Sequence, residues 1–470
     1  MNRRFFMKEL SAIAAGMIGS NGMFSSCSTN QAINRKIKIS NANLKVEREP
    51  LIRPLGFKGG FINELWQSVC CLTSESGIRK IGTGTQSILW SDSSVFVKHS
   101  ESEGNSLMLA ITERALSLIK GKMFRSPIDL LDSIYDELYD YGKSITGNPN
   151  LKKTFVLNSL VCVDNAVWLL YAAENGVTLF DDMIPGKYKK AFSFKHKQLA
   201  ITPLISYNVS PGEILKIVSD GHFFLKIKIG QPGTQDEMLR KDCERISLIH
   251  KTIGKTSTPY TKNGKVLYYF DANGRYESKD TLLRFINHLR KIGAYEQVAV
   301  IEEPFPENNE IDVHDIELRI AADESAHTEE DALIRIGMGY RAIALKAIAK
   351  TVSMSIKIAS AAYENNIPCI CADLTVSPLL VEWNKNFAAR LSPFPELNSE
   401  MGLVETNGNQ NYKNWNLMQT YSPSFEKKWT KMNQGIFNLD EEFFLSGGGV
   451  FGDSKHYNSL FEIKKLSCRP

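Results

Sequence analysis

The chain has no long basic stretch interleaved with aromatics, and its net charge is only +4 over 470 residues. That argues against a nucleic-acid partner. Its eight cysteines are dispersed. Only Cys70-Cys71 and Cys369-x-Cys371 lie close together, and neither pair has the spacing of a zinc site, so both read as core cysteines. His196, His222 and His250 stand in no partner pattern and read as packing or surface residues. Gly82-Thr83-Gly84 has glycines but no helix start behind them, so it reads as a turn and not a phosphate cradle. No internal repeat is evident beyond a βα rhythm. A hydrophobic content of 43% and a charged content of 23% are ordinary globular values. The length exceeds one ordinary domain and suffices for a barrel plus a second domain.

The first 36 residues read as an export signal and tether. Arg3-Arg4-Phe5-Phe6-Met7-Lys8 resembles a twin-arginine motif, with a plain secretory n-region as the alternative. The apolar stretch Leu10 to Ile18 is too short and too rich in small residues to span a membrane. Ser25-Ser26-Cys27 resembles a loose lipobox, which would make Cys27 the lipidated first residue. Residues 28 to 36 are polar and tether-like. The expected location is periplasmic, either soluble or as a membrane-anchored lipoprotein.

From 37 to 155 strands come first and helices follow, the pattern of an α+β unit. Leu107 to Ile119 and Ile128 to Ile145 carry apolar residues at helical spacing, with Ser126-Pro127 starting the second helix. Leu160 to Ala173 is a third, strongly apolar helix leading into the next domain. From 156 to 410 strand and helix alternate. Apolar strands end near Ile205, Ile229, Phe270, Ile301, Ala321, Leu345 and Ile370, and such a series closes into a parallel barrel. Residues 411 to 470 lose the rhythm and read as an irregular segment folded back on the first domain.

The chemistry sits where the strands end. Lys226-Ile227-Lys228 places two lysines on one face of a strand. Asp271-Ala272-Asn273, Glu302-Glu303-Pro304 and Asp323-Glu324-Ser325 follow at three successive strand ends, and Lys346 at another. Three carboxylates so placed can converge on one hard cation, flanked by lysines. In a parallel barrel, polar groups at strand C-termini are the reactive ones. This is a layout for removing a proton beside a carboxylate. Asp373 reads either as a substrate contact or as a cap before Ser377-Pro378.

These motifs, in order and at workable spacing, resemble the enolase superfamily in its muconate-lactonizing and dipeptide-epimerase branch. The resemblance covers roughly residues 40 to 410. It implies an α/β fold, a modified (β/α)7β TIM barrel under an N-terminal α+β capping domain. It implies Mg2+ on Asp271, Glu302 and Asp323, with Lys228 and Lys346 as bases on opposite faces of the substrate. Lys226, Asn273, Glu303 and Glu324 would support them. The implied activity is two-base epimerisation of a dipeptide or other amino-acid derivative through an enediolate. The alternatives are a cycloisomerase or dehydratase, of muconate or o-succinylbenzoate type, or an inactive surface lipoprotein that binds a carboxylated ligand. The expected partner is a small carboxylate such as a cell-wall dipeptide, with a homo-oligomer also among the expectations.

The chain departs from the family pattern at two places. Thr351-Val352-Ser353 stands where the branch carries Gly-Gly. Glu405-Thr406-Asn407 stands where dipeptide epimerases show Asp-x-Asp, which holds the substrate ammonium. Glu405 and Asn407 are therefore the expected substrate contacts on that side, with Glu400 as another candidate. Lys58, in the loop Gly56 to Phe61, is read either as a partner for a distal carboxylate or as a solvated lysine.

Overall fold

A computed structural model describes residues 35–57, 60–398 and 401–462. Cys27, the rest of the export motif, Lys58 and Glu400 lie outside the described residues.

The N-terminal domain begins as an antiparallel meander. β1 (Ile37–Phe57) pairs with β2 (Gly60–Ser74), β2 pairs with β3 (Arg79–Gln86), and β4 (Met123–Phe124) takes the other edge of β1. Helices Glu101–Ile119 and Pro127–Thr146 follow. Ser100 and Glu103 start the first with reciprocal side-chain-to-backbone bonds, and the Ser126 hydroxyl accepts from Asp129 N at the start of the second, with Pro127 in its first turn. Each satisfies backbone donors that a helix start leaves open.

Helix Lys153–Asn175 packs against β2 and β3. It is long and apolar enough to cross a membrane, but 94% of its most apolar stretch is buried within the fold, as for a helix at the centre of a globular core. The sequence lets it come close. A Cβ at Gly82 would lie 2.2 Å from both Ala166 N and Cys162 O. Gly82 and Gly84 thus serve close packing inside β3, and the turn falls at Gly77, whose φ is +91°.

The second domain is an α/β barrel. Its parallel strands are β5 (Gln198–Ile201), β6 (Leu204–Ile205), β7 (Phe224–Lys228), β8 (Leu267–Asp271), β9 (Val298–Glu302), β10 (Ile320–Ala322), β11 (Ala342–Leu345), β12 (Cys369–Cys371) and β13 (Gly402–Val404). β5 and β6 are one strand broken at Thr202-Pro203. β5 pairs with the last barrel strand, β13, and β6 pairs with β7, so the sheet curls round on itself. The crossover helices are Pro211–Ser219, Gln235–Ile253, Lys279–Lys291, Glu329–Gly337, Val352–Glu364 and Pro378–Ala388. The fourth crossover, 303–319, carries no helix.

Alternation along each strand divides the core. Leu225, Ile227 and Ile229 face the helices. Phe224, Tyr269, Val300, Ala321, Ile370 and Leu403 fill the barrel interior. Two residues further along the same inward faces come Lys226, Asp271, Glu302, Asp323 and Glu405, so the period of two stacks the charged ring on an apolar plug.

The C-terminal segment reaches both domains, not only the first. The hairpin β14 (Met432–Asn433) and β15 (Ile436–Asn438) joins β5 antiparallel, and Trp429 and Phe443 enter the barrel-side core. Against the first domain, Tyr412 Oη accepts from Gln67 Nε2 at 2.8 Å and His456 pairs with Glu47 at 2.9 Å.

One buried polar contact ties the helix of the first domain to the barrel. Asp164 accepts from Ser353 N at 2.9 Å and Ser353 Oγ at 2.6 Å, while Trp168 Nε1 donates to the same hydroxyl at 2.9 Å. Burial pushes the Asp164 carboxyl up to about 7 against these bonds. The folded pKa lies above the unfolded one, so its stabilising contribution is full below about pH 4 and is lost as pH rises through 7. Asp164→Asn is expected to flatten the fall in unfolding free energy between pH 5 and pH 8, read from denaturant titrations, by on the order of a few kcal/mol. Equal slopes for the two proteins would exclude Asp164 as the titrating group.

Candidate active site

The barrel mouth gathers the sequence-predicted groups, and the backbone is bent to hold them. Asn273, Glu303 and Thr351 all have positive φ, at 46°, 39° and 71°. A β-branched residue such as Thr351 adopts that region rarely. Here its hydroxyl accepts from Met354 N and starts the next helix.

Lys226 is buried at the centre of the acidic side. Its Nζ lies 2.8 Å from Glu302 Oε2, 3.1 Å from Asp271 Oδ2 and 3.2 Å from Glu405 Oε2. Burial opposes its charge, but Glu302 and Glu405 overcome that and hold the ammonium well above the usual lysine range. Lys228 Nζ sits 2.6 Å from both Asp271 Oδ2 and Asn273 Oδ1 and is less buried. Burial would push the Asp271 carboxyl up, yet Lys228 and Lys226 hold it down at about 2.

Across the barrel, Lys346 Nζ is 2.5 Å from Asp323 Oδ2. Burial lowers the Lys346 ammonium and Asp323 more than compensates, so its pKa is raised. The same ammonium lies 4.5 Å from the centroid of Trp90 in the first domain, a cation–π contact. Lys350 Nζ donates to the carbonyls of Asp323 and Ala326 at 2.6 and 2.9 Å, fixing the loop after β10. Burial resists ionisation of Asp323, but Lys346 and Lys350 keep it well below the usual carboxylate range.

Glu302, Asp323 and Glu324 bring carboxylate oxygens within 4.8 Å of one another. Glu302 Oε1 and Asp323 Oδ1 accept no hydrogen bond within the described residues, and burial with Asp271 alongside pushes the Glu302 carboxyl well up. Such a set of oxygen donors fits a hard divalent cation of the Mg2+ kind. All three expected ligands, Asp271, Glu302 and Asp323, are paired with lysines, and Glu324 stands beside Glu302 and Asp323. Asn273 Nδ2 holds Glu324 Oε1 at 3.0 Å. Glu303 turns outward from the cluster and accepts from Asp323 N, Ser325 N and Ser325 Oγ. Burial and Glu324 push its carboxyl up to about 8.

The eighth-strand residues form a closed network. Besides Lys226, Glu405 accepts from Asn407 Nδ2 at 2.9 Å and Asp373 N at 3.2 Å. Asp373 accepts from Asn407 N at 2.6 Å and Val376 N at 3.3 Å. It therefore ties the loops after β12 and β13 together, and the residue that precedes helix Pro378–Ala388 is Ser377. Asn407 Oδ1 is buried with no partner in the described residues.

A cavity of about 690 Å³ opens over Lys228 and Asn273. Arg53, Phe61, Tyr207 and Arg275 stand in its wall. Sequence reasoning did not single out Trp90, Lys350 or Arg275. Trp90 and Lys350 act through contacts remote in sequence, and Arg275 lies beyond the strand-end motif.

Residues 213–406 match the family model described as enolase C-terminal domain-like. The barrel is similar to that family over this stretch. The enolase-type fold extends to both domains. The L-Ala-D/L-Glu epimerase from Bacillus subtilis is similar at 18% identity, over 80% of this chain and 91% of that one, with a TM-score of 0.58. A dipeptide epimerase from Enterococcus faecalis, complexed with Mg and L-Leu-L-Tyr, is similar at 16% identity, over 88% and 99%, with a TM-score of 0.59. An N-succinyl Arg/Lys racemase from Bacillus cereus is similar at 15% identity, over 81% and 89%, with a TM-score of 0.57. No curated relative matches the chain by sequence.

If the carboxylate cluster holds Mg2+, the ion raises the melting temperature by mass action, roughly as a 100-fold excess over Kd adds about 2.7 kcal/mol. Glu302→Gln is expected to abolish that rise and leave the fold intact by circular dichroism. A full Mg2+ response in the variant would remove Glu302 from the ligand set.

Proposed function

We propose that the chain is a Mg2+-dependent racemase or epimerase that inverts the α-carbon of an amino-acid derivative. One observation carries this reading. Lys228 ends the second barrel strand and Lys346 follows the sixth, and in a ring of eight strands these positions lie opposite each other. The carboxylate cluster occupies the strand ends between them. A substrate near the barrel axis would meet a lysine on each face and the cation from one side.

Bound there on Glu302 and Asp323 with Asp271 or Glu324, Mg2+ would supply positive charge to a substrate carboxylate that gains a second negative charge as its α-proton leaves. One lysine, as the neutral amine, takes the α-proton. The other, as an ammonium, returns a proton to the opposite face. Lys226 stays charged among Glu302, Asp271 and Glu405, and so supplies a fixed field and not a base. Trp90 covers Lys346 and excludes water on that side.

The substrate reading is an N-acylated amino acid in preference to a dipeptide with a free amino terminus. Glu405, the carboxylate at the eighth strand, is occupied by Lys226, Asn407 and the Asp373 amide. The acceptor left there is the neutral Asn407 Oδ1, which suits an amide N–H better than an ammonium. Arg275, half-buried in the cavity wall with no carboxylate paired to it in the described residues, suits a distal carboxylate of the substrate. The similar N-succinyl Arg/Lys racemase is named for substrates of this kind.

The test is solvent exchange. In deuterated water with Mg2+, an N-succinyl or N-acetyl amino acid should gain one mass unit at the α-carbon, ahead of the corresponding free dipeptide. Lys228→Ala and Lys346→Ala should each lose net inversion by at least 10²-fold, each keeping exchange from a different enantiomer. Exchange that depends on only one lysine, without inversion, would favour a cycloisomerase or dehydratase. No exchange with any carboxylate would favour a binding protein.

Export through the twin-arginine route, with Cys27 as a lipid anchor, belongs to the same proposal. It rests on the motif at Arg3 and Arg4 and on Ser25-Ser26-Cys27. Changing both arginines to lysine should leave precursor in the cytoplasm, and Cys27→Ala should release mature protein from the membrane fraction. Normal export of the lysine variant would point to the general secretory route.

A further inference from the structure

Helix Gln235–Ile253, the crossover after β7, carries one charged residue on the face it buries. That residue, Asp242, is 1% exposed and shares the face with Met238, Leu239 and Ile246. Burial pushes its carboxyl up, and hydrogen bonds from neutral donors oppose this. Arg245, further along the helix, gives its guanidinium to the carbonyls of Ser206 and Val209 instead. A buried carboxylate held by neutral donors is expensive, so what it holds is informative.

It holds the loops on which the proposed site stands. Oδ2 accepts from Gly230 N at 2.7 Å and from Tyr276 Oη at 2.9 Å, and Oδ1 accepts from Gln231 N at 3.4 Å. Gly230 lies two residues beyond Lys228 and turns the chain at φ +80°, a conformation that glycine takes without strain. The next loop packs directly against it: a Cβ at Gly230 would lie 2.7 Å from Arg275 Cβ and 2.9 Å from Ala272 O. Tyr207 Oη donates to Ile229 O at 2.9 Å and Gly230 O at 3.2 Å, and Ile229 N donates to Asp271 O at 2.9 Å. Tyr276 N in turn donates to Pro304 O at 2.9 Å. One carboxylate thus ties together the segments after β7, β8 and β9, the strands that end in Lys228, Asp271 and Glu302. Its bonds do not extend to the loop that carries Lys346, which is held through Asp323, Lys350 and the contact of Asp164 with Ser353.

We infer that Asp242 is a positioning residue for Lys228. From behind the barrel wall it fixes the turn after β7, and with it the place of the Lys228 ammonium beside Asp271 Oδ2 and Asn273 Oδ1, each 2.6 Å away. The inference rests on the two-base reading above and assigns Asp242 to one half of it. A displacement of about 1 Å in a reacting group costs on the order of 10²-fold in rate. A residue that touches no substrate therefore governs the Lys228 step through geometry, and the Lys346 step on the other face is independent of it.

Asp242→Ala, Asp242→Asn and Tyr276→Phe are to be compared with the wild type by deuterium exchange at the α-carbon, on each enantiomer of the N-succinyl or N-acetyl amino acid that the wild type exchanges. Lys228→Ala identifies the enantiomer that Lys228 serves. For that enantiomer Asp242→Ala should lower kcat by about ten-fold or more with KM within about three-fold, and exchange of the other enantiomer should stay within about two-fold. Asp242→Asn, whose amide oxygen still accepts from Gly230 N, should keep kcat within about three-fold. Tyr276→Phe should lower the Lys228-dependent kcat by about three-fold or more, and it takes the place of Asp242→Ala if that variant does not fold. Crystal structures of wild type and variant test the same point without a substrate: Lys228 Nζ should move by about 1 Å or more while Lys346 Nζ stays in place. Equal losses for both enantiomers, or none, would overturn the inference, as would an unmoved Lys228. A wild type that exchanges no compound would instead remove the two-base reading, and the position of Lys228 in the variant would still decide whether Asp242 sets it.

Discussion

The active end of the barrel is governed by the need to neutralise charge out of reach of water. Isolated buried carboxylates are expensive, and so are isolated lysines. Here Lys226, Lys228, Lys346 and Lys350 are distributed among Asp271, Glu302, Asp323 and Glu405 so that each buried ammonium has an acidic or carbonyl partner. Removing one member leaves its partners uncompensated, which costs more than the pair contributes. The same arrangement suits the proposed reaction. Fixed charges pre-arranged in a dry pocket need no reorganisation when charge develops on a substrate.

The first domain completes this pocket. Trp90 lies against Lys346, and Asp164 holds Ser353 at the start of the helix after Thr351. The loop that carries Lys346 and Lys350 is therefore gripped from both domains. Strain at Thr351 persists because these contacts over-determine the backbone there. The Thr351 hydroxyl also caps the helix that follows.

Much of the barrel was legible from alternation alone. Each strand carries an apolar run that ends in a polar group, and the period of two sends Lys226, Asp271, Glu302 and Asp323 to one interior face. The lysine pair and the acidic strand ends were found for that reason. Other features have no local signature. Gly82 and Gly84 look like a turn in sequence, because the helix they pack against, Lys153–Asn175, is remote in the chain. Glu405 offered a carboxylate to the substrate on paper, and only its contact with Lys226 shows that this carboxylate is already engaged. Lys58 and Cys27 fall outside the described residues.

The break at Thr202-Pro203 reaches beyond local geometry. β5 finds its neighbours in β13 and in β15, so Ala200 pairs with Leu403 on one side and with Ile436 on the other. These are among the most non-local pairings in the chain, and loop-closure entropy makes such contacts late and slow to form. During synthesis, β5 is exposed long before either partner exists, and an unpaired strand edge is a template for intermolecular pairing. The C-terminal hairpin thus acts as the latch of the barrel, and insertions or truncations there would be felt first as aggregation.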